Sequence, residues 1–317
     1  MSTALEPVGK KGAQLEVREH SSTEASRRWA AYAALAAAIA GMSWSALFVR
    51  WADVPASATA FYRVLIAAAV LVPWRLARGS RRPVERRPVL LALAGGVFFA
   101  MDLVLFNSAV LRTTAATAVL LGNNAPIFVG LATWVFIGRR PRGAFWLGLA
   151  LALAGCAFIV FADASSGGVA GDVAGDLFAL TAALFWAAYM VTTEHVRGAM
   201  DTLTFNTVAI GGSVLTLLAI CLVLRVPLSG YSGRTWSALI ALGLISQLAS
   251  YYALVYALGH LPATVTSVAV LAQVPLTAVL AAAMLGEPLS GAQIGGGLVV
   301  LSGIYVVSRP EPASPGP

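Results

Sequence analysis

Two charged side chains lie inside apolar stretches that are long enough to cross a lipid bilayer. Arg63 and Asp102 are the charged residues of the sequence that stand well away from the ends of these stretches. If both stretches are helices across a bilayer, each residue lies roughly 9–12 Å from the same membrane face. Charge in that setting is costly and marks a functional candidate, so we predict an Arg63–Asp102 ion pair that is structural or part of a gate. The alternative is that each side chain is solvated separately or snorkels.

Amide side chains form a second group of polar residues within apolar stretches. Asn124 and Gln273 each stand two residues before a proline, Pro126 and Pro275 respectively. An amide both donates and accepts hydrogen bonds, so it can hold the carboxylate and the ammonium of a zwitterion without carrying charge. The alternative is that these amides join helices to one another, as amides often do in membrane bundles. Asn123 lies on a different helix face and is a weaker candidate.

Aromatic residues and one further amide form a third group. Gln247 and Tyr251 are four residues apart, so a helix places them on the same face. Tryptophan and tyrosine side chains can form the apolar walls of a cavity, although a single aromatic residue more often packs against other helices or lipid. The substrate-binding candidates are Asn124, Gln273, Gln247, Tyr251, Trp44, Trp186 and Tyr189.

The composition indicates a membrane protein. The 317 residues are 59% hydrophobic and 11% charged, whereas a soluble domain carries about 25% charged residues. A helix needs about 20 apolar residues to cross a bilayer. Ten segments fit, and we number them spans 1 to 10: 29–49, 57–77, 89–110, 114–137, 143–161, 176–192, 203–224, 236–258, 264–285 and 292–307. The sequence therefore predicts an all-α polytopic membrane protein with ten transmembrane helices.

The chain contains an internal repeat. A shift of 148 residues aligns Gly148 with Gly296 and Gly155 with Gly303, and a shift of 149 aligns Asn124 with Gln273. Since each copy holds five spans, an odd number, the second copy enters the membrane from the opposite side. This pattern predicts two inverted five-helix repeats, an arrangement typical of transporters with a substrate site near the midplane between the halves.

The charges of the connecting segments predict the orientation. Of the 21 Lys and Arg residues, 16 fall on the side that holds both termini, four on the other side and Arg63 within the membrane. Because Lys and Arg concentrate on the cytoplasmic side, we expect both termini in the cytoplasm. The expected segments are a disordered cytoplasmic tail (1–28), a first repeat (29–162), a periplasmic linker (163–175), a second repeat (176–308) and a cytoplasmic tail (309–317).

Several motifs together resemble a known family. Phe61-Tyr62-Arg63 begins span 2, Asn-Ala-Pro and Gln-Val-Pro turns lie in spans 4 and 9, and LGEPLSGAQIGG joins spans 9 and 10. Over about residues 30–308 the chain resembles the EamA family of the drug/metabolite transporter superfamily. The first repeat departs from it, with Gly138-Arg139-Arg140-Pro141 where the family usually has Gly-Glu. The resemblance implies a bacterial inner-membrane exporter of amino acids and related metabolites, with a cavity lined mainly by spans 1, 3, 4, 6, 8 and 9.

The residue types also narrow the substrate class. A carrier of phosphorylated solutes would need an unneutralised Arg or Lys at depth, and an exporter of drug cations of the small four-helix kind would need a carboxylate in span 1. We therefore expect export of small neutral or zwitterionic metabolites, amino acids foremost, by alternating access around a central cavity. If Asp102 pairs with Arg63, facilitated diffusion is favoured. If Asp102 is free, the alternative is a proton-coupled exporter that uses it.

Other function classes fit less well. An intramembrane hydrolase needs a nucleophile with a base, or paired acids, within hydrogen-bond reach, and the predicted spans hold a single deep Asp. Cys156 and Cys221 lie in apolar segments as small core residues, so neither a metal site nor a cofactor is expected. The expected partners are a small-molecule substrate and the lipid bilayer, without nucleic acid. The fused halves already form a pseudo-dimer, which favours a monomer.

Overall fold

The computed structural model of the chain describes residues 8–79, 85–110, 112, 121–163, 173–285 and 291–308. Every regular element within these ranges is helical. We number the α-helices α1 (Val8–Ser43), α2 (Ser45–Ala52), α3 (Ala56–Arg78), α4 (Arg86–Val110), α5 (Ala125–Ile137), α6 (Gly143–Asp163), α7 (Val173–Arg197), α8 (Thr202–Val223), α9 (Gly233–Ala241), α10 (Ser250–Leu258), α11 (Ala263–Val270), α12 (Gln273–Leu285) and α13 (Gly291–Ser308). A π-helix, Leu242–Ala249, joins α9 to α10.

Seven segments are long and apolar enough to cross a membrane: Ser26–Val49, Ala56–Arg78, Arg86–Ala109, Val173–Arg197, Thr202–Val223, Gly233–Leu258 and Ala263–Met284. Three shorter apolar helices lie where spans 4, 5 and 10 were predicted: Ala125–Ile137, Gly143–Ile159 and Ile294–Ser308. The described part of span 4 is residues 121–137, in which α5 forms the longest helix with 13 residues. Such a helix rises about 20 Å, less than the ~30 Å of a bilayer core, so the count of ten spans stays a prediction.

The N-terminal segment corrects one expectation. Residues 1–28 were expected to be disordered, but α1 begins at Val8 and continues into span 1. Its 36 residues correspond to about 54 Å of helix, which is longer than a bilayer core. Twelve of the 21 residues from 8 to 28 are Glu, Arg, Lys, Ala, Gln or Leu, which favour helix once a stable span nucleates it. Residues 1–7, most of the linker (164–172) and the C-terminal tail (309–317) lie outside the described residues.

The corresponding spans 4 and 9 are not continuous helices. Span 9 is broken between α11 and α12, and the helix of span 4 is interrupted by a turn at Asn123–Asn124 before α5. Both breaks stand directly before the prolines that the repeat aligns, because proline lacks an N–H and cannot continue the hydrogen-bond ladder of the preceding turn. The region 113–120 of span 4 and the Gly286–Pro288 motif lie outside the described residues.

Corresponding helices of the two halves pack against each other in antiparallel orientation. In spans 5 and 10, a Cβ on Gly148 would lie 2.5 Å from the carbonyl oxygen of Gly303, and one on Gly155 would lie 2.6 Å from that of Gly296. Only residues without a side chain allow backbones to approach this closely. Because the early part of α6 meets the late part of α13, and the reverse, the two helices run in opposite directions.

Spans 2 and 7 also pack against each other in antiparallel orientation. At one end of the pair, the sulfur of Cys221 lies 3.6 Å from the carbonyl oxygen of Ser57. At the other end, Arg75 Nε donates to Thr204 Oγ1 at 3.0 Å. The start of α3 therefore meets the end of α8. Antiparallel pairing of corresponding helices is what inversion of the second half requires.

Packing between the halves forms the core. Helix α4 (span 3) packs against α7 and α8, and the corresponding span 8, which includes α10 and the π-helix, packs against α1 and α3. Exchanging the two halves converts each of these contacts into its counterpart, as a two-fold axis requires. Large apolar side chains such as Phe136, Val223 and Leu298 remain exposed on the outside, where a bilayer would cover them. The polar residues described next lie between the halves.

Candidate functional site

A cavity of about 190 Å³ lies between the two halves. Helices α1 to α4, the turn before α5, and α7, α10 and α12 contribute to it. Its lining residues are Met42, Ser45, Arg63, Asp102, Phe106, Gly122, Asn123, Trp186, Tyr251 and Gln273. The volume is below the ~300 Å³ at which sites for drug-sized ligands begin, so the cavity suits a small solute.

A break in span 1 brings a hydroxyl group to the cavity. Helix α1 ends at Ser43 and α2 begins at Ser45, so one carbonyl group at the junction loses its helical partner. Thr277 Oγ1 donates to this Ser43 carbonyl oxygen at 3.1 Å, and Ser43 Oγ donates to Ile39 O at 2.8 Å. With the junction stabilised in this way, Ser45 reaches the cavity.

The two aligned breaks bring amides to the cavity, with one correction. Gln273 begins α12 and lines the cavity, whereas in the other half Asn123 lines it and the predicted Asn124 does not. Asn124 is the N-cap of α5, and its Nδ2 donates to Leu121 O at 3.2 Å. The prediction followed the repeat, which aligns Asn124 with Gln273, and treated Asn123 as weaker because it lies on a different helix face. The turn at 123–124 instead directs the first amide inward and the second toward the backbone.

Arg63 is held from three sides. Its side chain is 8% exposed, and its Nε donates to Gln247 Oε1 at 2.8 Å. Ser45 Oγ lies 3.5 Å from Nη1, and the Tyr251 ring centroid lies 5.8 Å from Cζ. Gln247 and Tyr251, predicted to share a face, thus both reach the same guanidinium. Gln247 itself is buried behind Arg63 and is not among the residues that line the cavity.

The predicted direct ion pair between Arg63 and Asp102 is not found in this conformation. Both residues belong to the described part of the chain, and no nitrogen–oxygen distance within 4.0 Å joins them. The physical reason is that Gln247 binds the Nε edge of the guanidinium, while Asp102 faces the open cavity. Two opposite charges therefore share one cavity without a direct bond.

Four aromatic side chains form a cluster beside the cavity. Tyr251 lies 4.8 Å from Phe99 and 5.8 Å from Trp186 between ring centroids. Tyr189 lies 5.5 Å from Trp186 and 5.4 Å from Phe99. Trp186 and Tyr251 line the cavity, whereas Tyr189 packs behind them. Trp44 does not join this cluster, and its ring stacks on Phe48 at 5.9 Å.

A second cavity of about 50 Å³ lies on the other side of Arg63, toward the start of α3. Asn107 lines it, and the Nδ2 of Asn107 donates to Ala56 O at 3.1 Å. Because Arg63 lines both cavities, its side chain separates them. Asn107 was not predicted as a site residue.

Sequence reasoning missed several lining residues. Phe106 follows Asp102 by four residues and Phe99 precedes it by three, so the helical period alone would have placed both near its face. Met42 and Ser45 carried no such signal, since nothing in the sequence marks the break between α1 and α2. In the part of the chain that the structure describes, no group of three or more His, Cys, Asp or Glu residues could hold a metal ion.

Outside the spans, one carboxyl group has a shifted pKa. Partial burial acts to raise the pKa of Asp201, but hydrogen bonds from the hydroxyl and backbone of Thr204 outweigh it and hold the pKa below its usual value. Asp201 is the N-cap of α8, where its Oδ1 accepts from Thr204 N at 3.0 Å. This capping interaction fixes the end of α8 that meets Arg75.

Comparison with known proteins agrees with this architecture. The model of the EamA-like transporter family matches residues 27–161 and again residues 173–309. A solved crystal structure with 24% sequence identity matches with a TM-score of 0.73, over 90% of this chain and 96% of that chain. At that identity it shows the fold alone.

Curated relatives are named as transporters or exporters. The transporter YwfM of Bacillus subtilis is 31% identical over 64% of this chain and 68% of its own length. The pseudopaline exporter CntI of Pseudomonas aeruginosa is 29% identical over 68% and 73%. A probable terminal-alkyne amino-acid exporter of Streptantibioticus cattleyicolor is 26% identical over 78% and 82%. These names point to transporters rather than enzymes, and since the family model matches most of the sequence, the chain belongs to the EamA-like transporter family.

Proposed function

We propose that this chain exports small zwitterionic metabolites, amino acids foremost, through the central cavity by alternating access. The observation that carries the proposal is the presence of Arg63 and Asp102 in one cavity without a direct bond between them. A zwitterion brings a carboxylate for the guanidinium and an ammonium for the carboxylate, and both contacts are charge-assisted hydrogen bonds. The charges of site and substrate then neutralise each other inside the membrane.

The rest of the lining supports a small solute with an apolar side chain. Gln273 and Asn123 add amides that donate and accept hydrogen bonds, while Met42, Phe106 and Trp186 add apolar surface. A phosphorylated solute would carry two negative charges toward a site that already contains a carboxylate. An organic cation without a carboxylate would leave the Arg63 charge unmatched.

Two relatives support the direction and the substrate class. One is named a pseudopaline exporter and another a probable amino-acid exporter.

For the cellular setting we propose the bacterial inner membrane, cytoplasmic termini, ten spans in two inverted repeats (29–162 and 176–308) and a monomer. The antiparallel packing of α3 on α8 and of α6 on α13 supports the inversion.

Flux into liposomes tests the proposal. The full chain, reconstituted and loaded with unlabelled leucine, is expected to take up labelled leucine by counterflow. Leucinamide, which lacks the carboxylate, and N-acetylleucine, which lacks the ammonium, are expected to compete poorly. Equal competition by all three would contradict recognition of a zwitterion, and absence of flux across a panel of amino acids would contradict the function.

Proton coupling is a second candidate mechanism, and one observation favours it. Asp102 faces the cavity without an ion pair to Arg63, and a carboxyl group in that position can carry a proton between two membrane sides. A pH-sensitive dye inside the liposomes would decide. Alkalinisation or acidification upon addition of leucine, without an imposed pH gradient, is expected for proton coupling, whereas a constant internal pH indicates facilitated diffusion.

A further inference from the structure

Gln247 occupies an unusual place for an amide. Its side chain is 3% exposed, it lies in the π-helical stretch between α9 and α10, and its Oε1 accepts from Arg63 Nε at 2.8 Å. A buried guanidinium is more often balanced by a carboxylate. A neutral acceptor fixes the direction of the guanidinium but leaves its positive charge uncancelled.

The remaining contacts of Arg63 also leave its charge available. A guanidinium has five N–H donors in a planar fork. Gln247 takes the donor at Nε, and Ser45 lies 3.5 Å from Nη1. Tyr251 approaches with its ring at 5.8 Å from Cζ. Arg63 lines the cavity, so the N–H groups that do not donate to Gln247 or Ser45 can donate to a carboxylate bound there.

The backbone that carries Gln247 is a π-helix. In a π-helix the hydrogen bonds run from residue i to i+5, so carbonyl groups lose their α-helical partners, and such stretches are frequent at functional sites. Ser250 Oγ donates to Ile245 O at 2.7 Å, and Ser246 Oγ donates to Gly41 O at 2.8 Å. The Ser250 hydroxyl stabilises the altered turn that carries Gln247, and the Ser246 hydroxyl joins the π-helix to α1.

We propose that Gln247 is a positioning residue that fixes Arg63 as the carboxylate pole of the cavity, with Asp102 as the ammonium pole, so that a bound amino acid has one orientation. The inference rests on the proposed function. It deepens that function by giving Gln247, a residue outside the cavity, a role in the orientation and specificity of the substrate.

Two substitutions separate positioning from simple structural support. Gln247→Met removes the acceptor at similar size, and Gln247→Glu keeps an acceptor but adds a negative charge that pairs with Arg63. The control is Ser246→Ala, in the same π-helix, which removes a bond to Gly41 and none to Arg63. Kd values for leucine and for leucinamide, which lacks the carboxylate, are measured with the purified full chain, together with melting temperature.

Both Gln247 variants are expected to weaken leucine binding about tenfold or more, the scale of a hydrogen bond to a charged group. Leucinamide binding and the Ser246→Ala control are expected to stay within about twofold of the unmodified chain, well under the effect of one such bond. A Gln247→Glu variant that binds leucine normally and melts at a higher temperature would show an ordinary structural anchor and overturn the inference.

Other outcomes are equally decisive. Equal weakening of leucine and leucinamide binding would mean that Gln247 only maintains the shape of the cavity, which also overturns the inference. If Gln247→Met is not recovered in folded form, Gln247→Glu decides alone, because the two roles predict opposite effects for it. If the unmodified chain neither binds nor transports any amino acid, the proposed function itself fails, which the unmodified chain reveals before any variant is compared.

Discussion

Single residues of the cavity differ in how firmly the protein holds them. Arg63 is bound by Gln247 and contacted by Ser45 and Tyr251, so its removal would strand a buried acceptor. Asp102 has no hydrogen bond or ion pair among the described residues and faces the cavity. The two charges should therefore respond differently to substitution, the first through stability as well as transport and the second through transport.

Replacing Asp102 by Asn tests this difference. The amide has nearly the same shape and loses no bond within the protein, so the melting temperature is expected to change by at most about 2 °C, as for a substitution that removes no buried contact. Leucine counterflow is expected to fall about tenfold or more because the ammonium loses a charged acceptor. The control is Asp53→Asn, an exposed carboxylate at the end of α2 with positive φ, where Asn is tolerated. Unchanged flux in Asp102→Asn would exclude Asp102 from substrate binding.

A double substitution examines whether the two charges depend on each other. Arg63→Met and Asp102→Leu are expected to couple only weakly, by about 0.5–1 kcal/mol, because the two charges attract each other across the cavity that they share without a direct bond. The comparison needs each single variant, the double variant and the unmodified chain. Strong recovery of stability in the double variant would instead indicate a direct pair in the state that dominates in solution.

Sequence reasoning found the polar residues better than it found their roles. The cost of charge in a membrane identified Arg63 and Asp102, but depth alone could not show that Gln247 would satisfy the guanidinium. Likewise, the repeat located the amides of spans 4 and 9, yet the alignment of Asn124 with Gln273 favoured Asn124 over Asn123. Such choices depend on where a helix breaks and how a single turn directs a side chain, and hydropathy does not record that.

At the scale of helices, the crossing of α6 and α13 depends on glycine. The repeat already aligned Gly148 with Gly296 and Gly155 with Gly303, but it did not show that the pairs would contact crosswise. In the structure Gly148 meets Gly303 and Gly155 meets Gly296, as a two-fold axis between antiparallel helices requires. Both halves therefore need glycine at these positions to form the interface between α6 and α13.

A side chain at this crossing should force the helices apart. Gly155→Val is expected to destabilise the protein by about 1–3 kcal/mol or more, the usual cost of overpacking, because the carbonyl of Gly296 cannot move without its helix. Thermal unfolding in detergent, followed by tryptophan fluorescence, measures the effect. The control is Gly143→Ala at the start of α6, where nothing lies within 4 Å of an added Cβ. Equal stability of both variants would contradict the close crossing.

Helix capping at α8 predicts a dependence on pH. The pKa of Asp201 is lowered in the folded protein, so its stabilisation is present above the unfolded pKa of about 3.9 and is lost as pH falls through the lower folded value. Asp201→Ala is expected to cost about 1 kcal/mol near neutral pH and progressively less below about pH 4.

The matched control for this prediction is the uncharged N-cap of α9. Ser232 Oγ accepts from Thr235 N at 3.2 Å, and Ser232→Ala is expected to cost about the same at both pH values, since no carboxyl group is lost. Melting temperatures at neutral and acidic pH compare the two variants. A pH-independent cost for Asp201→Ala would show that the cap does not depend on the charge of the carboxylate.

At the scale of the whole molecule, architecture was more predictable than local geometry. Composition and the repeat predicted an all-helical membrane protein in two related halves, because both follow from average hydropathy and from duplication of a whole unit. The break in span 1 and the π-helix escaped prediction, whereas the Asn-Ala-Pro and Gln-Val-Pro turns of spans 4 and 9 were visible in the sequence. Both features involve hydrogen bonds between helices, from Thr277 to the Ser43 carbonyl and from Ser246 to Gly41 O, and these bonds form only after the helices have packed.

The sidedness of the loops provides the remaining test of this architecture. Arg140, between α5 and α6, and Ser229, between α8 and α9, are both exposed. The charge distribution places the first in the cytoplasm and the second outside. In a background with Cys156→Ala and Cys221→Ala, Arg140→Cys is expected to react with a membrane-impermeant maleimide only after cell lysis, and Ser229→Cys in intact cells.

The two alternative labelling patterns exclude different properties of the topology. Labelling of both positions from the same side would contradict the inverted repeat. Because corresponding helices such as α3 and α8 run antiparallel, inversion places these two loops on opposite sides of the membrane. Exchanged labelling, with Arg140→Cys reactive in intact cells, would keep the inversion but reverse the orientation. In that case Arg63 and the second cavity beside it would lie toward the cytoplasm.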